Sequence, residues 1–198
     1  MIKVCEEGFV TPSPPPRCAN HHLTQILFFT ESIKKAAKLV AEDMMTYYRG
    51  DEPGMVPGIL PGPPPDGDYY WWQGGAMWGG LLDYWHVTDD DTWNDDIYQS
   101  LLHQAAPNRD FMHKNWSASL GNDDQAFWSM TSMIAAELKF KDPPEDDAQW
   151  VALTQAVWNE QASPDRRGGG CDNGLRWQIY PTNQGYNYKN CKYTHGGA

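Results

Sequence analysis

No stretch of this sequence approaches the roughly 20 consecutive apolar residues that a membrane-spanning helix needs, and the mean hydropathy is −0.66. A transmembrane span is therefore not expected. Positive charge is also scarce: 15 Lys and Arg stand against 26 Asp and Glu, for a formal net charge of −11. A chain of that sign repels a phosphate backbone, which removes nucleic acid as a partner. Cysteine is limited to Cys5, Cys18, Cys171 and Cys191. These four form no CxxC pair and have no histidines at zinc-finger spacing, so no metal site is expected. HExxH, GxSxG and phosphate-loop motifs are missing, the histidines have no triad setting, and no cofactor is implied. Alternating strand patterns are nearly absent too; GLRWQIY at 174–180 is the only short candidate.

Aromatic residues are plentiful. They make up 13% of the 198 residues, and ten of them are Trp. In a chain this hydrophilic, so much Trp suggests a groove whose flat apolar faces stack on ring or CH surfaces, although core packing accounts for most individual tryptophans. The length fits one domain with a core of its own.

Residues 1–30, with TPSPPPR and no usable periodicity, read as a disordered or mis-assigned lead-in, and 31–198 as the folded part. MIKVCEEGFV is interrupted by Glu6 and Glu7, and ILFF at 26–29 is too short for a signal core, so the chain as written shows no export signal. Asn115-Trp116-Ser117 is a glycosylation sequon, a triplet that also arises by chance. Ile33, Ala36, Ala37, Val40, Met44 and Tyr47 fall at helical spacing and predict a first helix ending before Gly50. The Pro/Gly-rich loop at 50–68 follows. A second helix is expected from about Gly75 to His86, and Thr88 to Asp91 then read as a capping box. A third helix places Trp93, Ile97, Leu101 and Ala105 on one face. Phe127, Met130, Ile134 and Leu138 predict the apolar stripe of a fourth, and Trp150, Leu153 and Val157 that of a fifth. The Asp89-Asp90-Asp91 run lacks the Gly and closing Glu of an EF-hand, so it reads as a helix start and not a calcium loop. Five helices joined by alternately long loops predict an all-α domain of stacked hairpins with its function at the long-loop end.

One of those loops ends in LGNDDQAFW at 120–128. Asn122 with Gln125 makes a capping-box variant, and Asp123 and Asp124 then sit in the first turn, where the helix dipole favours negative charge. The same two carboxylates suit glycoside hydrolysis, which needs one to attack the anomeric carbon and another to protonate the leaving oxygen. Neighbouring side chains on a regular helix diverge by about 100°, so a shared site requires a helix start, and Gly121 supplies that freedom. A helix N-terminus lowers both pKa values, whereas a general acid needs its own raised; mutual repulsion and a desolvating aromatic such as Trp128 could restore the difference.

From about Ser32 to Asn190 the stretches SIKKAAKLV, PGILPGP, YYWWQGGAMWGGLLDYW, PNRDFM, SLGNDDQAFW, GLRWQIY and NQGYNYKN stand in the order and at the spacing of the family 76 glycoside hydrolases. The chain resembles that family of endo-1,6-α-mannanases and their fungal cell-wall relatives. The resemblance implies an (α/α)6 barrel and makes Asp123 the nucleophile and Asp124 the general acid/base. It also places Trp72, Gln73, Asn122, Arg176, Trp177 and Tyr188 at or near a sugar-binding groove. For Trp72 and Trp177 the alternative is core packing, and for Arg176 an ion pair with a loop carboxylate. The expected substrate is a polysaccharide, α-1,6-mannan or the mannose of a GPI glycan, handled by hydrolysis or by transfer to another wall glycan. The expected place is outside the cell or at the cell wall.

A six-hairpin barrel needs about twelve helices, and at usual helix lengths this chain supplies five and the start of a sixth. CKYTHGGA replaces the continuation found in the family, so 31–198 reads as a partial catalytic domain, about half of the barrel. Such a chain is expected to expose apolar surface and to have low activity alone. The alternative function is an inactive fragment or a sugar-binding module. Cys171 and Cys191 are close enough in sequence to bridge in an oxidising compartment; a mass 2 Da below the reduced value, in a digest without reductant, would show the link, and free thiols at both positions would exclude it.

Overall fold

The computed structural model describes residues 18–114, 119–168 and 171–189, and the side chains of all of these except 18–28 and Cys171. The sequon at 115–117 and any Cys171–Cys191 bridge lie outside what is described. Five α-helices and short 3-10 turns are present among the described residues, with isolated bridges but no strand. No helix there is long and apolar enough to cross a membrane.

Helix α1 is Cys18–Met45, so it begins well ahead of Thr30. The chain divides into two compact units, Met1–Ala36 and Ala37–Ala198. In the second unit Ala37, Ala41, Met44 and Met45 of α1 face the core, with Tyr48 just beyond the helix. This corrects the expected stripe, since Val40 is 59% exposed and Tyr47 48%. Small Ala41 takes the core position, and the bulkier Val40 faces outward.

Helix α2 is Trp71–Thr88, longer at both ends than expected. Helix α3 is Asn94–Gln104, α4 is Asn122–Glu137 and α5 is Trp150–Ala162. Helix α2 packs chiefly on α4, and α4 on α5. The Asp89–Asp91 run is a corner between α2 and α3 and not a helix start. Asp89 adopts a left-handed C-cap, and Asp90 accepts hydrogen bonds from Lys38, Tyr84 and both the amide and hydroxyl of Thr92.

The stripe expected for α5 is correct, and that for α3 is correct except at its start: Trp150, Leu153 and Val157, and Ile97, Leu101 and Ala105, are all buried, whereas Trp93 is the N-cap before α3 and only partly buried. The one expected for α4 holds only in part, since Ile134 and Leu138 pack against the core but do not form its buried face. Met130 is 51% exposed, whereas Gln125, Trp128, Thr131, Ser132 and Ala135 are buried. The inner face of α4 is largely polar because it meets backbone and hydroxyl groups and not a second apolar stripe. Thr131 Oγ1 donates to Gly75 O at 2.7 Å, and Ser132 and Thr154 share a hydroxyl contact of 2.8 Å with α5. Each hydroxyl is paired, which is what burial of a polar group demands.

Glycines set the approach of α2 to α4. A Cβ at Gly75 would stand 3.0–3.1 Å from the Trp128 ring, and one at Gly79 2.9 Å from Thr131 Oγ1. Trp128 fills the space, stacked on Trp71 with centroids 5.2 Å apart, and its indole N–H donates to Trp71 O. The other core tryptophans also find acceptors: Trp71 on Gln104, and Trp78 on Gly58 O. At Gly74 a Cβ would lie 2.5 Å from the Gly58 carbonyl oxygen, whereas at Gly80 it would meet nothing within 4 Å. Alanine gains about 1 kcal/mol over glycine in a helix, while overpacking a core costs roughly 1–3 kcal/mol. Gly80→Ala should therefore raise the chemical denaturation midpoint and Gly74→Ala lower it; equal midpoints for the two would contradict this account of the close approach.

Candidate active site

The loops at one end of α2 and α4 meet the segment 174–180. Gly121 pairs with Gln178 in an isolated antiparallel bridge, the Asn122 amide donates to Trp177 O at 2.8 Å, and the Trp177 amide donates to Tyr188 O at 2.8 Å. GLRWQIY is thus held in extended form against the start of α4 without becoming a strand. Tyr70, Trp72, Ser119, Asp123, Asp124, Phe127, Trp177 and Gln178 line the cleft so formed, about 590 Å³ in volume.

Helix α4 starts with a capping arrangement built by the catalytic candidates themselves. The Gly121 amide donates to Asp124 Oδ2 at 2.7 Å, and the Asp124 amide donates to Asp123 Oδ1 at 3.1 Å. Gly121 is extended, with φ −82° and ψ 163°, so its role is spatial and not conformational. A Cβ there would lie 2.2 Å from Asp123 Oδ1, 2.9 Å from Asp124 Oδ2 and 3.1 Å from Trp177 Nε1. Asp123 Oδ1 and Asp124 Oδ2 therefore lie at most about 5 Å from one another, close enough for the paired carboxyl groups of a double-displacement mechanism.

Their environments differ. Burial raises the Asp123 carboxyl above its usual range, and nearby backbone N–H groups and the Trp177 indole N–H pull it back. Burial pushes Asp124 up to about 6, opposed by the Gly121 N–H and reinforced by the Asp123 charge. The desolvating groups are Trp72, Phe127 and Trp177 on the cleft wall, with Trp72 and Phe127 4.6 Å apart. Trp128, the aromatic expected from sequence to do this, is wholly buried behind them.

Residues 32–195 match the glycosyl hydrolase family 76 profile. The chain belongs to that family. It is 49% identical over 160 residues to mannan endo-1,6-alpha-mannosidase DCW1 of Candida glabrata, covering 80% of this chain and 34% of that one. It is 40% identical to mannan endo-1,6-alpha-mannosidase DFG5 of Saccharomyces cerevisiae, covering 80% and 33%. The crystal structure of Dfg5 from Chaetomium thermophilum in complex with glucosamine is 58% identical, with a TM-score of 0.78 over 81% of this chain and 40% of that one. The chain spans about a third of the length of the curated relatives it matches.

The structure brings some of this family 76 chain's expected site residues together and holds others apart. Asp123, Asp124, Trp72 and Trp177 share the cleft. Tyr188 borders an adjoining hollow with Trp177, Gln184 and Gly185. Gln73 Oε1 accepts the Tyr70 amide at 2.7 Å, which caps α2. Asn122 is 1% exposed and bonded on every side by protein. Arg176 forms no ion pair among the described residues; it stacks on Tyr186 and donates to Asp165 O. Tyr70, Ser119, Phe127 and Gln178 were not singled out from the sequence as site residues, Phe127 being assigned to the buried stripe of the fourth helix, although all four lie in stretches that hold or flank the chosen residues. No cluster of three or more His, Cys, Asp or Glu able to hold a metal occurs among the described residues.

A carboxyl raised to about 6 on folding costs stability at neutral pH. Between the unfolded value near 4 and about 6 the native state binds more protons, so stability falls as pH rises through that window. Asn at 124 keeps an oxygen for the Gly121 amide but no charge. Asp124→Asn should stabilise the chain at pH 7 by on the order of 1–2 kcal/mol, and the gain should vanish near pH 4. Denaturation midpoints at the two pH values measure it.

Proposed function

We propose that this chain carries the catalytic pair of a retaining, endo-acting hydrolase of α-1,6-mannosidic bonds. The observation that carries the reading is the pair itself: two carboxylates within about 5 Å, unequally raised, in one aromatic-walled cleft. The names of its relatives supply the substrate class. Asp123 is the ionised member. It attacks the anomeric carbon as Asp124 gives its proton to the departing glycosidic oxygen, leaving a glycosyl ester on Asp123 and a carboxylate on Asp124. Asp124 then takes a proton from water, whose oxygen attacks the anomeric carbon and frees Asp123. A sugar hydroxyl in place of water gives transfer to another wall glycan by the same steps. Trp72, Phe127 and Trp177 offer the CH faces of mannose a flat surface and keep water from the pair.

The all-helical architecture and the likeness to part of the Dfg5 structure support a further proposal, that α1 to α5 are half of an (α/α)6 barrel. In that fold the exposed Met130, Val151 and Trp158 would face neighbouring helices. A mannan in the wall is the substrate, so the site works outside the cell or at its surface.

Cleavage needs Asp124 protonated and Asp123 ionised. Turnover of α-1,6-mannan should therefore fall as pH rises through about 6 and fall again at low pH, with limbs that belong to the coupled pair. Asp123→Ala should abolish turnover, and Asp124→Asn should cut it by about 10²–10⁴-fold, with oligomannoside binding by calorimetry retained in both. Adding a β-glucan acceptor separates transfer from hydrolysis by the products formed. A wild-type chain that binds the oligomannoside without turnover is a sugar-binding module, and the catalytic reading fails.

A further inference from the structure

Behind the catalytic pair lies a cation that the chemistry does not use. Arg166 sits in a 3-10 turn, Pro164–Arg166, just after α5, and its side chain is only 11% exposed. Its guanidinium is shared among three partners: Nη1 donates to Asn122 Oδ1 at 2.6 Å and to Gln125 Oε1 at 3.3 Å, and Nη2 donates to Glu160 Oε2 at 2.7 Å. A planar fork can serve two amide oxygens and a carboxylate at once; an ammonium group serves them poorly. Glu160 balances the charge, and Arg166 is not among the groups that shift Asp123 or Asp124. Its role is geometric.

The geometry converges on Asn122, the residue immediately before Asp123. Both ends of its side chain and both its main-chain polar groups are taken. Oδ1 accepts from Arg166, Nδ2 donates to Arg176 O at 2.9 Å, the amide donates to Trp177 O, and its carbonyl accepts from Gln161 Nε2 at 2.7 Å. Two of these bonds hold the peptides of Arg176 and Trp177, and Trp177 Nε1 and Asp123 Oδ1 face the same point beside Gly121, 3.1 and 2.2 Å from where a Cβ there would stand, which puts the indole N–H beside the Asp123 carboxylate in the cleft they share.

We infer that Arg166 is a positioning residue: it locks the Asn122 side chain, which in turn fixes the peptide between Arg176 and Trp177 and sets the Trp177 indole N–H beside the nucleophile Asp123. The inference builds on the proposed role of Asp123, but its physical content is the contact between Trp177 and Asp123 and does not need turnover. It also gives Asn122 a task other than binding sugar, because that side chain is buried and both its ends are bonded to protein.

The Trp177 indole N–H beside it favours the ionised form of Asp123, so moving it away raises the midpoint at which Asp123 titrates. The test follows the Asp123 carboxyl 13C shift against pH in the whole chain. Trp177→Phe and Arg166→Gln should each raise the midpoint by about half a pH unit. Arg166→Gln added to Trp177→Phe should raise it no further, since the two act through one contact. Arg166→Lys keeps the charge beside Glu160 and loses the fork; it should behave as Arg166→Gln does and serves where the glutamine variant does not fold. An Asp123 midpoint left at the wild-type value in folded Arg166→Lys overturns the inference and makes Arg166 a strut. So does an equal effect with and without the Trp177 indole. Mannan turnover measured alongside keeps the two ideas apart: a wild-type chain without turnover sinks the catalytic reading, while the titrations still decide the positioning role.

Discussion

The close approach of α2 and α4 is the constraint on which the rest of this structure depends. Gly74, Gly75 and Gly79 leave α2 without side chains where Trp128 and Thr131 of α4 come against it. Adjacent residues on a helix point about 100° apart, so one interface supplies two aromatic pairs with different jobs. Trp71 and Trp128 stack inside the core, and their neighbours Trp72 and Phe127 meet at the cleft wall. The packing that stabilises the domain thereby also sets the aromatic wall beside Asp123 and Asp124.

Capping and chemistry look like rival explanations of the aspartate pair, and the structure joins them. Asp124 closes the first turn of α4 by accepting the Gly121 amide, which draws its carboxylate back over the helix end and brings it near that of Asp123. The helix N-terminus and this hydrogen bond favour the charged form. Burial wins for Asp124, which rises to about 6, because its hydrogen bonds do not offset the loss of water. Asp123 has an additional donor, the Trp177 indole. One cap thus yields two carboxyls of unlike acidity, as a double displacement requires.

Much of the fold was legible where apolar residues repeat at helical spacing against an apolar neighbour. Trp150, Leu153 and Val157 identify the buried face of α5, and Ile97, Leu101 and Ala105 that of α3. The same rule misled for α4, where the buried face carries Gln125, Thr131 and Ser132. Those side chains are buried because partners on α2, α5 and the loops satisfy them, and hydrophobic periodicity cannot register a partner distant in the chain. At α1 the rule chose Val40 over Ala41 because it weighs size, whereas it is Ala41 that is buried.

The sequence by itself determined the helices, the long loops between them, the pairing of Asp123 with Asp124 at a helix start, and the family to which the chain belongs. These are local properties, set by spacing, capping residues and motif order along one stretch of chain. Only the tertiary structure decided which side chains face the cleft. Gln73 follows Trp72 and Asn122 precedes Asp123 in sequence, but Gln73 gives its side-chain oxygen to a helix cap and Asn122 serves as a buried clamp, while Tyr70, Phe127 and Gln178 line the cleft. Arg166 drew no notice, because its bonds to Asn122 and Gln125 span roughly forty residues. A hydrogen bond's partner is chosen by where the packed helices bring two groups together, and nothing in local spacing specifies that.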